Sequence, residues 1–98
     1  MAEVKLSAAA RRDLARLDDF SAAEFGGDVA DEYTRGLKAV FDLLKRHPRA
    51  GQAHREYGPS VRCKTHRSHR IIYRIEGKAV FVMRILHHSR DVNRHLRP

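Results

Sequence analysis

His69-Arg70-Ile71-Ile72-Tyr73-Arg74-Ile75-Glu76-Gly77, continued by Val80-Phe81-Val82-Met83-Arg84-Ile85-Leu86, reads as two hydrophobic strands joined at Glu76-Gly77. Successive side chains of a strand point to opposite faces of its sheet. Ile71, Tyr73 and Ile75 therefore share one face, as do Phe81, Met83 and Ile85, and these form the expected core-facing set. The other parity carries Arg70, Ile72 and Arg74 with Val80, Val82, Arg84 and Leu86. Apolar groups interleaved with arginines on an open sheet face imply a docking groove or an anion-binding cleft, with Ile72, Val82 and Leu86 exposed in it.

Just upstream, Val61, Cys63 and Thr65 alternate with Arg62, Lys64 and His66 as another strand, which Arg67-Ser68 turns into the next. Pro48 to Ser60 shows no period and reads as one long loop, a length that in so small a domain often marks a working part. Before it, Val29, Tyr33, Leu37, Val40, Phe41 and Leu44 keep the 3.6-residue period of a helix that Asp28 caps and Pro48 stops. Lys45, Arg46 and His47 put positive charge at its C-terminal end, where the helix dipole favours it. Gly36 interrupts this helix and is expected where the two helices touch.

An earlier helix begins in Ala8-Ala9-Ala10 after the N-cap Ser7, carries the stripe Ala10, Leu14, Leu17, Phe20 and Phe25, and ends at Gly26-Gly27. Ala2, Val4 and Leu6 alternate with Glu3 and Lys5 as a leading strand. The order is strand, helical hairpin, then three strands joined by tight turns. It predicts a two-layer α+β domain spanning 1–98, with helices on one face of an antiparallel meander and the other face open.

Ninety-eight residues suffice for one core. Twenty Lys and Arg against twelve Asp and Glu give a formal charge of +8, which draws the chain to polyanions or to an acidic protein. Cys63 is the only cysteine, so no internal disulfide is possible; it is expected as a small core hydrophobe in a reducing cytoplasm. No apolar signal core and no run near the ~20 residues of a membrane span is present, so a soluble, unexported protein is expected.

If Cys63, Tyr73 and Met83 face the helices, parity sends Arg62, Lys64, His66, Arg70, Arg74, Arg84 and His88 to the open face, where guanidinium groups could hold oxyanions. His66 and His69 lie three apart, and in a strand that spacing points them to opposite sides, as it does the adjacent His87 and His88. With one cysteine and no converging ligands, neither a metal nor another cofactor is expected.

The chain resembles the ParE-like branch of the RelE/ParE superfamily, toxins of bacterial type II toxin-antitoxin modules. The resemblance rests on Leu6-Ser7-Ala8-Ala9-Ala10-Arg11-Arg12-Asp13-Leu14, on His47-Pro48 with Gly51, on His69-Arg70-Ile71-Ile72-Tyr73-Arg74, and above all on Met83-Arg84-Ile85-Leu86-His87-His88-Ser89-Arg90-Asp91. It implies a β-α-α-β-β-β toxin neutralised by an acidic antitoxin that wraps it. The ParE branch traps DNA gyrase; the RelE branch cuts messenger RNA on the ribosome. RNA cleavage needs a base, an acid and cations on the phosphate, for which Arg70, Arg74 and Arg84 with His66, His87 or His88 are candidates. RelE-like nucleases typically add a C-terminal tyrosine, and none follows Tyr73 here. The resemblance thus implies a gyrase inhibitor without catalytic residues, the ribosome-dependent endoribonuclease being the alternative. Antitoxin contact is expected from Arg62, Lys64, Arg70, Ile72, Arg74, Val82, Arg84 and Leu86 on the open face. Target contact is expected from Arg90, Arg94, His95 and Arg97, in a short helical tail that Val92 and Leu96 pack on the sheet edge.

Overall fold

Ser7 makes the first turn of the fold. Its hydroxyl accepts from the amide of Ala10 at 2.9 Å and donates to the carbonyl of Met83 at 2.7 Å, so one side chain caps a helix and ties it to the sheet. The computed structural model describes residues 1–89. Within them β1 (Glu3–Leu6) leads into α1 (Ala8–Phe25) and α2 (Gly27–Arg46), followed by β3 (Val61–His66), β4 (His69–Glu76) and β5 (Ala79–His87). The 48–60 segment is more ordered than its sequence suggests: it holds a two-residue strand, β2 (Gln52–Ala53), and a 3-10 turn, Arg55–Tyr57.

The helices form the expected hairpin, with Thr34 Oγ1 bonding Asp18 across it at 3.2 Å. Gly26 alone joins them: at φ 90° it donates its amide to Ala22 and accepts from Ala30, closing one helix and opening the next. Because the second helix restarts at once, Asp28 is not its cap but lies in its first turn, where a carboxylate still favours the dipole. Neither helix is long and apolar enough to cross a membrane.

Five strands form one sheet in the order β1-β5-β4-β3-β2. The meander is antiparallel, while β1, returning through the hairpin, lies parallel to β5 from Glu3↔Ala79 to Leu6↔Val82. Leu37, Val40 and Leu44 of α2 and Ala10 of α1 bury Ile71 and Tyr73 of β4 with Val80, Val82 and Ile85 of β5.

β5 departs from simple alternation. Tyr73 pairs with Val82 but Ile72 pairs with Arg84, so Met83 is an extra residue, a β-bulge. Before the bulge Val80 and Val82 face the helices; beyond it Ile85 does. Val82 is thus a core residue and not part of an open face, and Met83 packs on the opposite side with Val61, Ile72 and Leu86. Cys63 pairs with Ile72 and joins that second cluster, whereas Arg62 pairs with Tyr73 and Lys64 with Ile71, which moves these two cations to the helix-side parity. Nor are the three apolar residues exposed: Ile72 and Val82 are 0% and Leu86 5% accessible. β4 is the central strand, and with Ile71, Ile72 and Tyr73 in succession it is apolar on both parities, as a strand buried on both faces must be.

Gly36 meets β3 rather than α1. A Cβ there would sit 2.8 Å from Cε1 and Nε2 of His66. Gly36→Ala would gain about 1 kcal/mol of helix propensity but overpack the imidazole by roughly 1–3 kcal/mol. A net loss in chemical denaturation is expected, reversing to a net gain of about 1 kcal/mol in a His66→Ala background. Additivity of the two changes would mean that the contact is not close.

Candidate functional site

The apolar stripe of α1 outruns the sheet. Leu17 still packs on the core, but Phe20 and Phe25 are 59% and 63% exposed, with Val29 of α2 beside them at 47%. They line a groove of about 840 Å³ between the tip of the hairpin and the ends of β4 and β5, where Ile85 and Leu86 contribute. Cationic and imidazole groups border it: Arg16, Arg67, Arg84, His69 and His87. Its one carboxylate among the described residues, Asp13, is already committed.

That commitment builds the groove wall. β1 ends opposite Val82, which leaves the rest of the β5 edge without a strand neighbour among the described residues. Ser7 takes the carbonyls of Val82 and Met83, and Asp13 takes the next amide, accepting from Ile85 N at 3.0 Å. The same carboxylate receives Arg84 as a fork, Nε at 2.8 Å and Nη2 at 2.9 Å. Donating these hydrogen bonds to Asp13 raises the Arg84 pKa above its ordinary value.

At the other end of the groove the Tyr33 hydroxyl lies 2.6 Å from His69 Nδ1 and donates to the His66 carbonyl at 3.3 Å. His87 stands edge-on to His69 with ring centroids 5.4 Å apart. Burial, and then neighbouring cationic groups, hold His69 and His66 below the usual imidazole range. Burial likewise raises Tyr33, and it raises the Cys63 thiol, consistent with a packing role for that cysteine. His66 Nε2 is enclosed without a hydrogen-bond partner among the described residues. Among those same residues no group of three or more His, Cys, Asp or Glu is placed to hold a metal.

The residues expected on one cationic face are therefore dispersed. Arg62 donates to the carbonyls of Gly51 and Arg49, Arg74 engages Glu76 and lies over the Phe81 ring at 4.7 Å, and His66 is on the helix side. Arg70 remains on the far face beside Ile72 and Arg74. Of the residues expected to meet the antitoxin, Arg84 and Leu86 line the groove. Arg90, Arg94, His95 and Arg97, with Val92 and Leu96, lie outside the described residues. Sequence reading missed Phe20, Phe25 and Val29 as surface groups because it assigned the whole stripe to the core. The signal was there: a helix of 18 residues beside a strand of four reaches well past it.

A family model described as "ParE toxin of type II toxin-antitoxin system, parDE" matches residues 4–92. Toxin ParE1 of Mycobacterium tuberculosis (strain H37Rv) is 36% identical over 92 residues, covering 93% of this chain and 94% of the relative. Toxin ParE1 of Caulobacter vibrioides is 31% identical over 96 residues, covering 98% and 99%. Among solved structures, the chromosomal ParDE toxin-antitoxin system from P. aeruginosa superposes with a TM-score of 0.75 at 21% identity, over 89% of this chain and 96% of that one. The toxin-antitoxin complex RelBE2 from Mycobacterium tuberculosis gives 0.60 at 25% identity, over 88% and 96%.

Proposed function

The chain belongs to the ParE toxin family of type II toxin-antitoxin systems, and from that premise we propose that it arrests growth by inhibiting DNA gyrase and is neutralised by a cognate acidic antitoxin seated in the groove. The observation that carries the gyrase reading is the dispersal of the groups an RNA-cutting site would gather. A base, an acid and phosphate-holding cations must converge within hydrogen-bond reach of one reacting phosphate. Here His66 is packed on Gly36, Arg84 is forked onto Asp13, Arg74 engages Glu76, and Arg70 stands on the far face. Such a surface suits stoichiometric binding. The antitoxin reading is supported by the groove itself, whose exposed aromatics within a cationic border match an amphipathic, acidic segment. Arg70 and Arg74 are placed to meet its continuation on the far sheet face, and Arg90, Arg94, His95 and Arg97 are the proposed target contacts.

The endoribonuclease alternative has one observation in its favour, the Tyr33–His69 pair with Arg67 at the same end of the groove. Both readings meet in one experiment. With purified chain, gyrase supercoiling is expected to fall and cleaved DNA to accumulate, while messenger RNA on programmed ribosomes stays intact. Replacing Arg90, Arg94 and Arg97 together by Ala is expected to weaken that trapping several-fold. Site-specific RNA cuts that vanish in His69→Ala, with gyrase unaffected, would overturn the proposal.

A further inference from the structure

The segment from 45 to 62 carries Lys45, Arg46, Arg49, Arg55 and Arg62 against a single carboxylate, Glu56, which His54 Nδ1 already engages at 2.7 Å. Folding gathers three of these cations. Arg49, Arg55 and Arg62 line a pocket of about 370 Å³ whose other walls are Ala53, Pro59, Ser60, Val61 and Ile75, and among the described residues no acidic side chain lines it.

The pocket is rigidly built. The buried Tyr73 hydroxyl donates to Pro48 O at 2.6 Å and accepts from Gly51 N at 2.9 Å, fixing the chain on either side of Arg49. Arg62 clamps the same turn through Gly51 O at 2.9 Å and Arg49 O at 3.1 Å. Those two bonds engage only part of a guanidinium that carries five N–H groups. Arg49 and Arg55 have no side-chain partner among the described residues. Like charges held together without a counter-charge repel one another, and an anion relieves that repulsion.

We infer that the Arg49–Arg55–Arg62 pocket is an oxyanion site for the phosphates of duplex DNA. Guanidinium forks match phosphate oxygens in geometry and charge. The site is separate from the antitoxin groove: Ile75 and Arg62 lie at the opposite ends of β4 and β3 from His69 and Ser68, roughly 20 Å away at about 3.3 Å per residue. Arg46, in the last turn of α2, extends the basic segment three residues ahead of Arg49 in sequence, while Lys45 beside it pairs with Asp42 at 3.6 Å. Several cations along one segment suit a polyanion with a repeating charge better than a single carboxylate. The choice of DNA rests on the gyrase reading; the oxyanion site rests on the pocket alone.

The test uses the full chain titrated with a short DNA duplex, with inorganic phosphate and with poly-glutamate, followed by amide chemical shifts. The duplex is expected to move the amides of residues 49–62, and the double variant Arg49→Gln/Arg55→Gln is expected to bind it at least tenfold more weakly. The slope of log K against log salt should then become shallower by roughly two, at ~0.9 for each phosphate that is no longer neutralised. Antitoxin affinity, unchanged within twofold, reports that the variant is folded. Arg62 is left intact because it holds the turn. Equal duplex binding by variant and parent, or no duplex binding at low salt, would overturn the site. Tighter binding of poly-glutamate than of duplex at these amides would replace DNA by an acidic protein. A chain that binds DNA here and leaves gyrase untouched keeps the site and sinks the gyrase reading.

Discussion

A chain carrying Phe20→Asp and Phe25→Asp together is expected to fold as the parent does and to lose about a thousandfold in affinity for its antitoxin. Both rings are more than half exposed, so their removal takes little from the core. In a complex the same rings become central anchors. Truncating an aromatic anchor typically costs about 2 kcal/mol or more. Two such losses come to about 4 kcal/mol, and each 1.4 kcal/mol is tenfold in Kd. The new carboxylates add repulsion toward an acidic segment and a desolvation penalty of their own. Calorimetric titration of the cognate antitoxin into parent and variant, with unfolding curves for both, measures the two effects separately. A Kd within threefold of the parent's would remove the groove as the docking site and shift it to Arg70 and Arg74 on the far sheet face.

How much of this was legible in the sequence differs from element to element, for physical reasons. Ser7 before three alanines and Pro48 after a basic turn are local signals, and the helices start and stop where they say. The faces of β4 followed from alternation because that strand pairs regularly up to Ile72 and Tyr73. β5 did not, since one extra residue at Met83 reverses parity midway, and an insertion within an all-apolar run leaves no trace in the pattern. Gly36 announced a close approach but not its partner, because His66 lies thirty positions away and only the folded sheet brings it near. The cationic face failed for a related reason. Alternation counts side chains, whereas Asp13, Glu76 and the carbonyls of Gly51 and Arg49 decide where each guanidinium ends.

Asp13→Ala is expected to destabilise the fold by about 3–5 kcal/mol, because the substitution takes one partner from a mostly buried, forked ion pair. The side chains of Asp13 and Arg84 are only 8% and 19% accessible, and the same carboxylate also takes the Ile85 amide. Removal therefore takes from Arg84 its forked carboxylate and leaves the Ile85 amide short of its acceptor. At about 4–8 °C per kcal/mol for a domain of this size, Tm should fall by more than roughly 12 °C. Asp13→Asn keeps an acceptor for Ile85 without the charge and should lie between. The double change Asp13→Leu/Arg84→Met should recover only part of the loss, since an apolar pair of similar volume can replace a buried ion pair at little cost but leaves the Ile85 amide without its acceptor. A single-variant loss under 1 kcal/mol in urea unfolding would place the pair among ordinary surface contacts. The position of the pair gives it a second readout. It holds α1 against the β5 edge at the groove wall, so Asp13→Asn, studied below its Tm where it is folded, should bind antitoxin more weakly although Asp13 itself carries the wrong charge to attract an acidic partner. Tighter binding in that variant would mean that the carboxylate repels the segment more than it shapes the groove.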